Sequence, residues 1–287
     1  FYHFAMLVYT KEDIPDGIST MIRDYLPPNI YCNDDELPFI TLAYAQSLDS
    51  RISKRFGMRT IISHKETKVV TQYIRFNHDA ILVGINTVIA DDPGLNCRFQ
   101  CGSQNLIRPV IIDPDFKIPY VYKDSKLSKN FNNNLIGMPI IVVSSDTYET
   151  TNKFINKYAE ANSLDILTVE PQMSAIMTPF DGIQAPVLPW YRIFKKLKQE
   201  IGIESVMVEG GAQVIQSLLM SKYRNKPLVD SLIITVGPVF LGKRGVEVSP
   251  AEEIQLKDVK WWAGKRDSVM FSKVKKIFEK ELSEKVI

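Results

Sequence analysis

The stretch Ser205-Val206-Met207-Val208-Glu209-Gly210-Gly211-Ala212-Gln213-Val214-Ile215 decides how this chain is read. An apolar strand ends on a carboxylate, breaks over two glycines and continues as a helix. Backbone N–H groups at an open helix start point outward with the positive end of the dipole, and glycines let an anion such as a diphosphate come close to them. A Gly-Gly pair alone is more often an ordinary tight turn. A nucleotide site therefore needs partners from other segments.

Outward from that junction, apolar runs and amphipathic stretches alternate from Pro38 onward, which predicts an α/β fold with a largely parallel sheet flanked by helices. Strands are expected at 39–45, 79–84, 109–112, 140–143, 166–169, 205–208 and 228–236, and an antiparallel one at 269–277 pairs with the last of these. Val69, Val70, Tyr73 and Ile74 share one face of a helix over 65–76, and residues 85–91 form a short helix or turn. Further helices are expected at 149–161, around Trp190, Ile193, Phe194, Leu197 and Ile201, and after Gly211 with Val214, Ile215, Leu218 and Leu219 buried. Residues 171–189, rich in proline and without periodicity, read as a surface loop. Residues 1–37 read as an N-terminal extension, amphipathic around Ile18 to Leu26 and stopped at Pro27-Pro28, ahead of one domain over 38–287.

With 45% hydrophobic and 24% charged residues in 287, the chain has ample material for a core. A net charge of +2 argues against a nucleic-acid partner and for a small anionic ligand. Cys32, Cys97 and Cys101 are an odd set that reads as reduced thiols in the cytoplasm, and His3, His64 and His78 offer no zinc-spaced pair, so no metal is expected. The apolar opening, Phe1 to Tyr9, is too short for a membrane span, and no membrane partner is expected; a start on Phe1 suggests trimming. Neither G-x-G-x-x-G nor a Walker A sequence is present, so a nicotinamide cofactor would use another scaffold.

Ligands of such sheets bind beyond the carboxyl ends of the strands, and four turns lie there. They are Gln46-Ser47-Leu48-Asp49, the segment Gly84 to Pro93, Ser144-Ser145-Asp146-Thr147, and Glu209-Gly210-Gly211. Together with Thr41 to Ile52, His78 to Asn96 and Arg108 to Asp113, the Val208-Glu209-Gly210-Gly211-Ala212 turn resembles the ordered motifs of the riboflavin-pathway reductases. The match lies nearest the fungal-type 2,5-diamino-6-ribosylamino-4(3H)-pyrimidinone 5′-phosphate reductases, which are similar to the C-terminal reductase domain of the bacterial bifunctional deaminase-reductase. It runs in order from about Pro38 to the C-terminal strand.

The resemblance implies a dihydrofolate reductase-like fold, NADPH as cofactor, a homodimer, and hydride transfer to the ribosyl C1′ that yields a ribitylamino product. It places cofactor contacts on Thr87, Asp91, the Ala45 to Ser47 backbone and the turn Glu209, Gly210, Gly211, Ala212 and Gln213, and substrate contacts on Arg75, Leu95, Arg98 and Glu209. The chain departs from the bacterial pattern at Ile61, where a Trp is usual, and at Arg59, where a Ser is usual. Leu188, before the Trp190 helix, is a further candidate for the adenine pocket, and Ser144 and Ser145 for the adenosine 2′-phosphate or a plain turn. Thr87 can donate to the cofactor or merely cap a helix. Arg75 and Arg98 suit bidentate contact with a phosphate, with Arg59 in reserve.

Glu209, at the end of a buried strand, needs partners and can accept from substrate hydroxyls. Glu209, Asp91 and bound water are the candidates for the proton of the reaction. The 228–236 strand is a candidate contributor to a dimer interface. The alternatives are another dihydrofolate reductase-like pterin or pyrimidine reductase, or a non-catalytic nucleotide-binding protein. A deaminase is excluded by the lack of an H-x-E and P-C-x-x-C zinc signature.

Overall fold

Strands buried on both faces read as continuous apolar runs, and they assemble here as the parallel body of one sheet. The computed structural model describes residues 8–28, 36–100, 106–177 and 184–275, and within these a nine-stranded sheet. Its strands are β1 (Phe39–Gln46), β2 (Ala80–Gly84), β3 (Arg108–Ile112), β4 (Ile140–Ser144), β5 (Asp165–Val169), β6 (Ser205–Val208), β7 (Ser231–Val236), β8 (Leu256–Ala263) and β9 (Ser268–Val274). They lie side by side in the order β8-β9-β7-β1-β6-β2-β3-β4-β5. The first seven run parallel, and β9 pairs antiparallel with both β7 and β8.

Alternate side chains of each central strand enter opposite cores. Ile81, Val83 and Met207 join one hydrophobic cluster, while Ala80, Leu82, Val206 and Val208 join the other. Helices α1 (Ile18–Ile22), α2 (Lys65–Phe76), α3 (Ile85–Asp91), α4 (Lys126–Asn132) and α5 (Ser145–Asn162) cover the first core, and α6 (Trp190–Ile201) and α7 (Ala212–Leu219) the second. The expected faces hold: Val69, Val70 and Ile74 of α2, and Val214, Ile215, Leu218 and Leu219 of α7, are buried. The segment before the sheet packs on its antiparallel edge. Ile18, Ile22 and Tyr25 are fully buried, Tyr25 donates to the Asp258 carbonyl, and Lys260 pairs with Asp24 at 2.7 Å.

Four expectations need correction. The 171–189 segment carries an antiparallel pair, Gln172–Met177 with Gln184–Val187, whose shifted register and Pro186 hide the alternation of a hairpin; residues 178–183 fall outside the described set. Strand β8 went unread because Asp258, at φ +51°, makes a bulge that breaks its period, and its charged outer side is that of an edge strand. Helix α5 starts at Ser145 rather than 149, since Ser144 caps it by accepting from the Thr147 N–H at 3.2 Å. The 228–236 run, a candidate contributor to a dimer interface, is mostly buried within the protomer, because β7 has β1 and β9 on its two edges and gives side chains to both cores.

His78 shows how the core handles a titratable group. It is 5% exposed, its Nδ1 lies 2.7 Å from the Ile74 carbonyl and its Nε2 lies 2.8 Å from Thr41 Oγ1. The Ile74 carbonyl can only accept, so Nδ1 carries a proton, and in the neutral ring Nε2 accepts from the Thr41 hydroxyl. Burial pushes its pKa down from 6.5 to about 4, against a smaller upward pull from the Ile74 carbonyl. The unfolded chain thus binds an extra proton between those values. Stability is full above about pH 6.5 and falls as pH drops toward 4, by up to about 3 kcal/mol from this residue. Urea unfolding of the wild type and His78→Gln at several pH values checks it: the variant should show a flatter slope across that window, and equal slopes would refute the assignment.

Candidate active site

Neighbouring strands β2 and β6 send their following helices to opposite faces, α3 to one core and α7 to the other. A crevice opens at such a switch point, beyond the carboxyl ends of the strands. Its walls are close: the Glu209 N–H donates to the Leu82 carbonyl at 3.0 Å. A Cβ on Gly84 would sit 3.3 Å from Val214 Cγ2, and one on Gly211 3.0 Å from Thr87 Oγ1. Gly210 has φ +28°, and a Cβ there would fall 2.4 Å from Val214 Cγ1, so both conformation and space demand glycine. Helix α7 has Gly211 as its N-cap and no side-chain cap, which leaves the amides of its first turn without a side-chain acceptor. This is a cradle that suits a nucleotide phosphate.

Thr87 is not a cap, since Gly84 holds that position in α3. Its hydroxyl instead sits against the glycine turn. Asp91, one turn later on the same helix, is half-buried. Burial pushes its carboxyl pKa up, with the Arg59 charge pulling the other way. Asp92 does structural work only: at φ +42° it ends α3 and accepts from the Lys126 N–H at 2.8 Å.

Arg75, in the last turn of α2, closes on Glu209 with two parallel bonds, Nε to Oε1 and Nη2 to Oε2, each 2.7 Å, and its Nη1 donates to the Asn96 carbonyl at 2.8 Å. Burial opposes the charge of Arg75, but attraction to Glu209 and the hydrogen bonds outweigh it and raise the pKa. Both Glu209 oxygens, expected to meet substrate hydroxyls, are therefore engaged by a guanidinium. Leu95 is 1% exposed in the core with φ +49°, so only its backbone is available to a ligand. The Arg98 N–H is fixed by Gln72 Oε1 at 2.6 Å, while its Nε is buried without a partner.

The remaining expected residues divide. Ser47 is fully buried, and each of its polar atoms is engaged in the 47–51 turn, with Asp49 Oδ1 2.5 Å from Oγ and the Arg51 N–H 3.0 Å away. Asp49 is held down to about 2, chiefly by the Ser47 hydroxyl and then by the Leu241 amide. Ala45 lies near the carboxyl end of β1, half-buried, and Gln213 is exposed on α7. Leu188 packs partly buried on the core, and the next turn is tied to α7 by Trp190 Nε1 donating to Ser217 Oγ at 3.0 Å. Ile61 is 72% exposed and Arg59 is exposed. Nothing in residue type or pattern singled out Asn96 or Gln72. The only signal was their spacing: Gln72 stands three residues before Arg75 on α2, and Asn96 two before Arg98. A separate hollow of about 480 Å³ between α5 and β5, lined by Tyr148, Asn156, Glu160, Ile166 and Thr168, contains none of these residues.

A glycine cradle at a sheet switch point, with guanidinium groups beside it, defines a nucleotide-dependent α/β enzyme class. The model of the RibD C-terminal domain matches residues 38–270, and the chain belongs to that family. It is 44% identical over 261 residues to the 2,5-diamino-6-ribosylamino-4(3H)-pyrimidinone 5′-phosphate reductase of Debaryomyces hansenii, covering 90% of this chain and 96% of the relative. The Candida glabrata protein of the same name is 39% identical, with 91% and 98% covered. The solved riboflavin biosynthesis reductase of Saccharomyces cerevisiae superposes with a TM-score of 0.69 at 37% identity, over 90% of this chain and 99% of that one. Acinetobacter baumannii RibD, at 20% identity and TM-score 0.62 over 84% of this chain and 59% of that one, shares the fold, which is the dihydrofolate reductase-like one expected.

The Arg75–Glu209 pair is largely buried, with side-chain exposures of 13% and 21%. Removing either partner leaves the other charge uncompensated. Arg75→Met and Glu209→Leu should each lower unfolding free energy by about 3 kcal/mol, and the double variant by clearly less than the sum. A denaturant double-mutant cycle measures this; strict additivity would rule the coupling out.

Proposed function

We propose that the chain reduces 2,5-diamino-6-ribosylamino-4(3H)-pyrimidinone 5′-phosphate at the ribosyl C1′ to the ribitylamino product, with NADPH as reductant. The observation that carries this is the close approach of Thr87 to Gly211 at the switch point, where a Cβ on Gly211 would come within 3.0 Å of the Thr87 hydroxyl. The fungal relatives at 39–44% identity support the diamino substrate over a deaminated one. When bound, NADPH supplies the hydride for C1′. Opening the sugar ring then needs one proton on the ring oxygen.

The chain's own groups divide the rest. The first-turn amides of α7 and Gly210, Gly211, Ala212 and Gln213 hold the diphosphate, with Thr87 donating beside them and the Ala45 to Ser47 end of β1 and Leu188 flanking the cofactor. Asp91 is the better proton carrier of the two carboxylates. Its pKa is raised by burial, whereas both Glu209 oxygens face Arg75. Glu209 acts by fixing Arg75, and Arg98 with Arg75 behind it supplies positive charge for the substrate phosphate. The 93–98 backbone, including Leu95, lines the substrate side.

Residues 1–37 are then an extension added to a reductase domain of 38–287, a division the start of the family match at 38 supports. A homodimer in the cytoplasm completes the reading. Val259 and Trp261, exposed at 45% and 56% on β8, are its best apolar contributors, and the odd cysteine count speaks for a reducing compartment.

The test is the loss of nicotinamide absorbance with the diamino substrate. Turnover should require NADPH, Asp91→Asn should lower kcat by roughly 100-fold, and Thr87→Val should raise the KM for NADPH by about 10-fold. Tight NADPH binding without turnover of this substrate or its deaminated form would sink the reading.

A further inference from the structure

On α6 each cation has its carboxylate: Arg192, Lys195, Lys196 and Lys198 stand within 3.4 Å of Glu170, Glu36, Glu200 and Glu204. One corner of the crevice breaks this pattern. The loop after β1 carries Lys54, Arg55 and Arg59, and the loop after β7 carries Lys243 and Arg244. All five are exposed, and none forms an ion pair among the described residues. Residues 50–65 and 237–246 contain no acidic residue. Asp49, just before them, is engaged by the amides of Leu241 at 3.0 Å and Gly242 at 2.8 Å.

The two loops make one surface. The Leu48 N–H donates to the Val239 carbonyl at 2.9 Å, Ser53 pairs with Val246, and a Cβ on Gly237 would fall 2.6 Å from Ile62 Cγ2. The Lys54 N–H closes the 54–60 turn on Thr60 Oγ1 at 3.0 Å. Because β1 lies between β7 and β6, this surface leaves the sheet beside the Glu209 turn. Burial raises the pKa of Asp91 and Arg59 is near enough to pull against it, so the 54–60 turn approaches α3. The opposite corner has the other sign. There, residues 113–117 and 144–152, after β3 and β4, hold Asp113, Asp115, Asp146 and Glu149 against Lys117 alone. Uncompensated charge at a cleft focuses the field, and a gradient across the cleft both attracts and orients an approaching ion.

We propose that Lys54, Arg55, Lys243 and Arg244, with Arg59 at the inner end, form an electrostatic funnel that draws anionic ligands into the crevice from the corner of β1 and β7. The inference rests on the reading proposed above, in which cofactor and substrate both carry phosphate. Long exposed side chains lose rotamer freedom if they must hold a bound group, so these four act on approach and not on the bound state. Capture and retention are then separable by rate.

Stopped-flow binding of NADPH, followed by nicotinamide fluorescence, decides it. A variant with Lys54→Gln, Arg55→Gln, Lys243→Gln and Arg244→Gln should associate roughly 10-fold more slowly than the wild type at about 20 mM salt, with an unchanged dissociation rate and a flatter salt dependence. At about 0.5 M salt, where the Debye length is roughly 4 Å, the two proteins should converge. A control that removes four exposed charges elsewhere, Lys153→Gln, Lys157→Gln, Lys222→Gln and Lys226→Gln, should stay close to the wild-type rate. Melting temperature reports folding; if the fourfold variant is not folded, the Lys54/Arg55 and Lys243/Arg244 pairs carry the test separately, at about threefold each. Equal association rates, a loss carried by dissociation, or an equal loss in the control would each overturn the proposal. A wild type that binds no NADPH overturns the proposed reaction and the funnel with it. One that binds NADPH with the expected salt dependence but reduces neither pyrimidine supports the funnel and overturns the reaction alone.

Discussion

The two parallel bonds between Arg75 and Glu209 join three parts of the chain that are distant in sequence. Arg75 closes α2, Glu209 follows β6, and the third guanidinium nitrogen holds the carbonyl of Asn96 in the loop after α3. A guanidinium has a planar fork of fixed geometry, so a bidentate carboxylate and a third acceptor set the relative positions of all three segments together. Lysine could not do this. The glycine turn that begins at Glu209 is thereby fixed at its first residue, and the substrate-side loop at Asn96, by one side chain.

The sheet explains why these segments meet at all. Because β2 and β6 are adjacent and parallel, their carboxyl ends lie side by side, and the direction of the next helix is the only freedom left. The chain sends α3 one way and α7 the other, so the two turns diverge and leave their backbones exposed between them. Had both helices packed on one face, Thr87 and Gly211 would not face each other across a gap that only glycine's missing Cβ keeps open. The hollow beside α5 lies at the far edge of the same sheet, where β5 has β4 as its one neighbour among the described residues.

Most of this frame was legible in the sequence because parallel strands and amphipathic helices announce themselves by period. The runs at Ala80–Gly84 and Ser205–Val208 and the buried face of α7 follow from apolar spacing alone. What failed had lost its period: β8 at the Asp258 bulge, and the 172–187 pair at Pro186 and its register shift. The candidate site was legible as residue types at strand ends, but not as partners. Sequence spacing cannot show that Glu209 turns toward Arg75 rather than toward a ligand, nor that every polar atom of Ser47 is engaged within its own turn. Asn96 escaped notice for the same reason, since its significance lies in the bond its carbonyl accepts from Arg75 and not in its identity.

The loop that carries Asn96 is held in a conformation it would not choose. Asp92 and Leu95 both have positive φ, at +42° and +49°, in a region where non-glycine residues sit at a disadvantage of roughly 1 kcal/mol or more each. Each is compensated locally. Asp92 is bonded to Lys126 at the start of α4, and Leu95 places its side chain in the core at 1% exposure. Burying a leucine gains about 2 kcal/mol, enough to hold one such residue in place. The inward turn of Leu95 reverses the chain locally, so Asn96 is delivered to the end of α2 where Arg75 can reach its carbonyl. The core therefore does more than stabilise the fold. By drawing Leu95 inward it fixes the path of the backbone on either side, and the carbonyl of the next residue, Asn96, stands where Arg75 Nη1 holds it.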